Sequence, residues 1–256
     1  MSKLRTEDQF LDLSDYGRSF GEFLAKSLQN TKFTPIHVTL LFGFCGLLAI
    51  ASMLYGYYVL AAFLLLLKSG IDAADGELAR LKKTPSYTGR YLDSIFDFIL
   101  NFLFLATITY LIDASFFLFF IAFFGMQLQG TLYNYYYVII RNRAIGGDST
   151  SKIFENKVPK ALFGENQKSV NTLYKVYRIL YGVFDEIIYV FDAEAYKVRK
   201  FPNWFMTILS VYGLGFQLLI IAIFLATNTI LYVLPVLVFM TLPMILLILI
   251  RKKIIK

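Results

Sequence analysis

Between Ile71 and Asp97 the chain reads IDAADGELARLKKTPSYTGRYLDSIFD, and long apolar sequence lies on both sides. Four aspartates, Asp72, Asp75, Asp93 and Asp97, fall inside this stretch. An acid in a membrane helix is costly, so it faces the bundle interior or a wet cavity, and it marks a site. The surrounding chain supplies the membrane: 57% of its 256 residues are apolar, against roughly 45–50% in soluble domains. The excess falls in runs of about 20 residues, the length that crosses a bilayer. These features predict an all-α integral membrane protein with one membrane domain.

Six transmembrane helices are expected, over about 35–53, 58–81, 89–112, 116–140, 203–226 and 230–250. Residues 1–33 are polar, with Tyr16, Phe20, Phe23, Leu24 and Leu28 at helical spacing and basic residues between them. That pattern predicts an N-terminal amphipathic interfacial helix, cytoplasmic, ahead of a catalytic membrane domain over 34–256. The N-terminus lacks a short apolar core with a cleavage site, so no signal peptide is expected. Residues 141–202 form the one long connection. It opens on a Gly/Ser/Thr-rich stretch from Gly146 to Ser151 and holds an apolar-basic segment, Leu173 to Phe191, that reads as an interfacial helix. Cys45, the single cysteine, reads as a small buried hydrophobe, which leaves no disulfide framework and no Cys/His metal site. His37, the single histidine, reads as an interfacial polar residue at the first membrane entry.

The net charge of +7 does not point to nucleic acid, because the basic residues cluster beside the membrane spans. All but one of the 25 Lys and Arg residues fall before the first span, in 80–90, in 141–200, or after the sixth span. With six spans those segments share one side, which the positive-inside rule makes cytoplasmic. Both termini are then cytoplasmic, and both acid pairs lie at the cytoplasmic ends of spans two and three. The membrane would be the cell (inner) membrane of a bacterium or archaeon, or a eukaryotic endomembrane.

Residues three or four apart share a helix face. Asp72 and Asp75 therefore point one way from span two, and Asp93 and Asp97 one way from span three. The connecting loop is short, so the spans are antiparallel neighbours whose acid faces meet. Converging carboxylates repel, and one or two divalent cations resolve the repulsion. An all-oxygen set suits Mg²⁺ or Mn²⁺. Two bridged cations recur where phosphorus is attacked. Gly76 and Ala79 keep one face small for the close approach of a ligand, and Gly89 does the same before the second pair. Arg80 supplies a fork that matches phosphate oxygens. The competing readings are buried salt bridges to Lys68, Arg80 and Arg90, and a cation-coupled transporter. A transporter places its acids near the bilayer centre, often within inverted repeats, and no repeat is visible here.

The pattern Asp72-x2-Asp75-Gly76-x2-Ala79-Arg80-x8-Gly89-x3-Asp93-x3-Asp97 resembles the signature of the CDP-alcohol phosphatidyltransferases, with all eight positions matched and no insertion. The six spans, the preceding amphipathic segment and the Thr34-Pro35 entry are also similar to that family. The connection 141–202 is not. The resemblance implies a metal-dependent transferase of phospholipid biosynthesis. Asp72, Asp75 and Asp93 would hold one cation, with Asp97 completing a second. Gly76, Ala79, Arg80 and Gly89, with Asp75, would form the CDP slot. Asp97 would be the general base toward the acceptor hydroxyl, and CMP would leave. The resemblance also implies a homodimer. The favoured donor is CDP-diacylglycerol and the favoured acceptor a small polar alcohol. The reversed pairing, CDP-ethanolamine or CDP-choline with diacylglycerol, carries the same signature.

Further polar residues are candidates for the acceptor pocket. Gln127, Thr131, Asn134 and Arg141 lie along one face of span four, and Asn101 continues the acid face of span three. Lys68, one turn before Asp72, is expected to pair with Asp72 or with a substrate phosphate. Arg141 and Arg143 are available to a phosphorylated acceptor. Asn203, Thr207, Ser210 and Gln217 form a similar stripe on span five. For all these stripes the other reading is hydrogen bonding between helices.

Overall fold

A computed structural model describes residues 4–145, 150–153 and 155–255. Most of the predicted Gly/Ser/Thr-rich stretch, residues 146–149, lies outside them. Among the described residues nine α-helices follow in order: α1 (Arg18–Leu28), α2 (Pro35–Leu54), α3 (Tyr58–Leu81), α4 (Tyr87–Leu111), α5 (Phe116–Ile145), α6 (Gln167–Phe191), α7 (Asn203–Leu209), α8 (Leu214–Ala226) and α9 (Val233–Ile254). Among the described residues there is no strand.

Helix α2 starts where Thr34-Pro35 predicts. The Thr34 hydroxyl accepts from the His37 amide at 3.3 Å, and His37 Nδ1 accepts from the Thr34 amide at 3.1 Å. The single histidine thus closes a capping box, with proline in the first turn where no N–H is missed. Cys45 is buried, and its thiol reaches the Leu64 carbonyl at 3.3 Å.

Among the described residues four helices are long and apolar enough to cross a membrane, or five if the bent pair α7/α8 counts as one. The expected second span, α3, falls outside that set because it carries Lys68, Asp72, Asp75, Glu77 and Arg80. Its 24 residues extend about 36 Å at 1.5 Å per residue, enough to cross. What sets α3 apart is its position, packed against α1, α2 and α8. Helix α1 crosses it closely: a methyl built on Gly21 would stand 2.9 Å from Ala73.

The predicted single span over 203–226 is bent by 52° after Tyr212. Gly213 there is extended, with φ −66° and ψ 147°, and a side chain on it would collide with Ser14. The N-terminal segment is wedged at this bend, with the Leu13 amide donating to Ser210 Oγ at 2.9 Å.

Helix α6 begins earlier than the predicted interfacial segment, at Gln167, behind an Asn166 cap that accepts from the Lys168 amide at 2.8 Å. One face, with Val170, Tyr174, Phe184 and Ile188, is buried, and the helix packs on α4 and α5. Ile179, Val183 and Val190 on the other side are exposed. Just past its end, Asp192 is fully buried and ion-paired with Arg251 of α9, and the Tyr136 hydroxyl donates to it at 2.6 Å. This network joins α5, α6 and α9.

Candidate active site

The loop between α3 and α4 is five residues long, which forces the antiparallel pairing that the sequence predicts. Lys83 takes a left-handed backbone with φ 55°, and the Thr84 amide reaches back to the Ala79 carbonyl at 3.0 Å, ending α3 just ahead of Pro85. Ser86 then caps α4, accepting from the Gly89 amide at 2.8 Å. Glu165, from the long connection, accepts from the Thr88 amide at 2.7 Å and the Ser86 hydroxyl at 2.9 Å. It accepts from the Leu162 amide as well. Partial burial would raise the Glu165 pKa, but these donors outweigh it and hold the carboxyl below its ordinary range.

This pairing brings the acids together. One carboxylate oxygen from each of Asp72, Asp75 and Asp93 lies within 4.8 Å of the others. Asp75 is oriented by the Thr39 hydroxyl of α2, which donates to its Oδ2 at 2.7 Å. Asp93 Oδ1 is buried and has no hydrogen-bond partner. Three converging oxygens and an orphaned carboxylate oxygen fit a hard divalent cation. Asp97 is the residue for which the resemblance implies a second cation. It stands outside the triad and is paired with the Lys68 ammonium, which also donates to Asp72 Oδ2 at 3.2 Å. Lys68 thus meets Asp72 as expected, and Asp97 besides. The salt-bridge reading holds for this lysine alone: Arg80 pairs with Glu77 and Arg90 with Glu155, not with the four aspartates.

All eight signature residues line one open cavity of about 1100 Å³. Asn101, Gln127, Thr131, Asn134 and Arg141 line it too, whereas Lys68 does not. Asn101 Oδ1, Gln127 Nε2 and Thr131 Oγ1 are buried without partners, as is Arg141 Nε. Arg141 reaches the Ser151 hydroxyl, at 3.4 Å. Arg143 is removed from the candidates, because it donates to the carbonyls of Arg199 and Tyr196 at 2.9 and 3.0 Å. The stripe on span five is broken by the bend. Asn203 is exposed, Ser210 holds the N-terminal segment, and Gln217 donates to Gln129 and the Met126 carbonyl, each at 3.1 Å. Gln217 therefore follows the helix-bonding reading, although it also lines the cavity.

Several lining residues carried no sequence signal. Thr39 is one hydroxyl in an apolar helix with no partner spaced to mark it. Tyr181 and Asp185 arrive on α6, with the Tyr181 hydroxyl donating to the Ser94 carbonyl at 3.0 Å. Burial pushes the Asp185 carboxyl up to about 6, against the Tyr177 hydroxyl that donates to it at 3.3 Å. Asp12 and Ser14 arrive on the N-terminal segment, and Tyr133 donates to Asp12.

A family model described as CDP-alcohol phosphatidyltransferase matches residues 32–163, a little over half of the chain. That range takes in α2 to α5 and the whole acid cluster. None of the curated proteins matches the chain.

Proposed function

The chain belongs to the CDP-alcohol phosphatidyltransferase family, and on that premise we propose that it moves a phosphatidyl group from CDP-diacylglycerol to the hydroxyl of a small polar alcohol, releasing CMP. Members of the family are transferases of substituted phosphate groups and are generally divalent-metal dependent.

Asp72, Asp75 and Asp93 would hold Mg²⁺ or Mn²⁺, with Thr39 fixing the orientation of Asp75. When bound, the cation supplies positive charge that neutralises the diphosphate and stabilises the leaving phosphate. Gly76, Ala79 and Gly89 leave room for the donor's nucleotide end, and Arg80 offers its fork to phosphate oxygens. Asp97 takes the proton from the acceptor hydroxyl, which then attacks the phosphorus distal to cytidine. In this reading the chain spans the membrane six times, through α2, α3, α4, α5, the bent α7/α8 pair and α9. Both termini are cytoplasmic by the distribution of Lys and Arg. The active form is a homodimer, an assignment drawn from family membership.

One observation carries the choice of a small polar acceptor. The cavity wall beyond the acids holds Asn101 Oδ1, Gln127 Nε2 and Thr131 Oγ1, buried and without partners. An acceptor, a donor and a hydroxyl left unmet suit a ligand carrying hydroxyl groups of its own. The glycerol backbone of a diacylglycerol offers one free hydroxyl and would leave most of them unmet, at a cost for each.

The test is CMP release by the purified protein in lipid with Mg²⁺ or Mn²⁺, given CDP-diacylglycerol and each of several alcohols. CMP release with one alcohol is expected, and none with any donor–acceptor pair would sink the proposal. Asp97→Asn should keep CDP binding and lose turnover, whereas Asp75→Asn should weaken metal-dependent nucleotide binding. Full activity in both variants would refute the roles.

A further inference from the structure

We propose that the buried ammonium of Lys68 stands where a second cation would bind, so that the four aspartates take up one divalent ion and Asp97 is positioned by lysine instead of metal. The proposal rests on the reading above that Asp72, Asp75 and Asp93 hold a metal ion.

The first observation is the division of the acids. Asp72, Asp75 and Asp93 converge on one point, and Asp97 does not join them. Asp97 and Asp72 are bridged by Lys68 Nζ instead. Two of the four acids therefore already meet one cation, and it is covalently part of α3.

The second is that Lys68 has nowhere else to go. Its side chain is fully buried, and its ammonium lies 4.6 Å from the centre of the Phe42 ring. Asp72 and Asp97 are the carboxylates it pairs with. A second divalent ion bridging Asp97 to Asp72 would take those oxygens and strand a buried ammonium beside an aromatic ring, an outcome that breaking a buried pair makes strongly unfavourable. A single ion at the triad leaves the lysine pair intact.

The third is contrast with two arginines that line the cavity. Arg80 is committed to Glu77 and Arg90 to Glu155, outside the four aspartates. Lys68 alone is given to them. It sits four residues before Asp72, so helix geometry places it on the acid face, one turn along.

Lys68 is thus a positioning residue. It holds Asp97 whether or not the metal is loaded, and it does so without touching substrate.

The test is Mn²⁺ binding to the full chain in lipid nanodiscs without nucleotide, followed by the paramagnetic signal of free Mn²⁺. Wild type should bind one ion per chain, and Lys68→Met two. Asp97→Asn should bind one ion with affinity within about threefold of wild type, whereas loss of a true ligand in Asp75→Asn should weaken binding by about tenfold or more. The Asp97→Asn measurement stands even if Lys68→Met fails to fold. In turnover, Lys68→Met should lower kcat with the donor KM little changed, and Lys68→Arg should restore part of it. Two ions on wild type would overturn the lysine proposal and leave the metal reading standing. No ion on wild type would overturn both. One ion on folded Lys68→Met, or a tenfold loss in Asp97→Asn, would also overturn the proposal.

Discussion

Gly76 separates a residue kept for a ligand from one kept for packing. A methyl group built on Gly76 meets only Arg80 Nη1, at 3.6 Å, an ordinary contact with the end of a flexible side chain. The fold therefore does not require glycine there. Within a helix, alanine is favoured over glycine by about 1 kcal/mol. Gly76→Ala should then leave the protein as stable or raise its melting temperature by about 2–4 °C for a chain of this size. Gly76 does line the cavity beside Asp75, however, and the methyl would project into the proposed nucleotide slot. The donor must back away from α3, and a loss of about 1.4 kcal/mol in binding would raise its KM tenfold. Gly21 supplies the control. A methyl there would stand 2.9 Å from the Ala73 backbone, so α1 must shift off α3. Overpacking of that kind costs about 1–3 kcal/mol. Thermal unfolding in detergent gives the stabilities, and CMP release against CDP-diacylglycerol concentration gives KM. A Gly76→Ala protein destabilised like Gly21→Ala, or one with an unchanged donor KM, would refute the reasoning.

Two further outcomes test the frame around the site. Arg251→Met should cost about 3–5 kcal/mol, because Asp192 is left fully buried without its cation. Most of that should return in the Asp192→Asn/Arg251→Met double variant, read by thermal unfolding. Glu165 has a folded pKa below its unfolded value, so the stability it contributes is present above the ordinary carboxylate range and is lost as pH falls through the folded pKa. The protection factor of the Thr88 amide, its exchange rate measured against the intrinsic rate at each pH, should fall on acidification in wild type, and in Glu165→Gln it should be lower already at neutral pH and insensitive to that acidification.

The half of the site on α3 and α4 was legible in the sequence because its information is local. Helical spacing put Asp72 with Asp75 and Asp93 with Asp97, and a five-residue loop left the two faces no choice but to meet. The stripe Gln127, Thr131, Asn134 was legible for the same reason. What spacing cannot express is which partner a long side chain reaches. Arg141 and Arg143 look alike in sequence. In the structure one faces the cavity, while the other is spent on the carbonyls of Tyr196 and Arg199. Lys68 was placed on the acid face by its spacing, but its bond to Asp97 crosses from α3 to α4 and depends on how the helices pack. The bend after Tyr212 was illegible because its partner is Ser14, about 200 residues away in the chain. Nothing in the apolar run over 203–226 marks it.

The same distinction divides the cavity chemically. The eight signature residues and Thr39 all fall within the range matched by the family model, on α2, α3 and α4. The opposite wall is assembled from elements outside that range or at its edges. Helix α6 brings Tyr177, Tyr181 and Asp185, the N-terminal segment brings Asp12 and Ser14, and α8 brings Gln217. These pieces are clamped onto the common half by specific long-range bonds: Glu165 to the start of α4, Glu155 to Arg90, Tyr181 to Ser94, and Leu13 to Ser210. In the proposed reading a cytidine diphosphate, the same in every donor, is met by the fixed local pattern. In the same reading the alcohol is met by Asn101, Gln127 and Thr131, inside the matched range, and by the wall that α6 and the N-terminal segment add. The part of the connection beyond the matched range, which carries Tyr177, Tyr181 and Asp185, is where the proposed reading expects acceptor selection to be tuned.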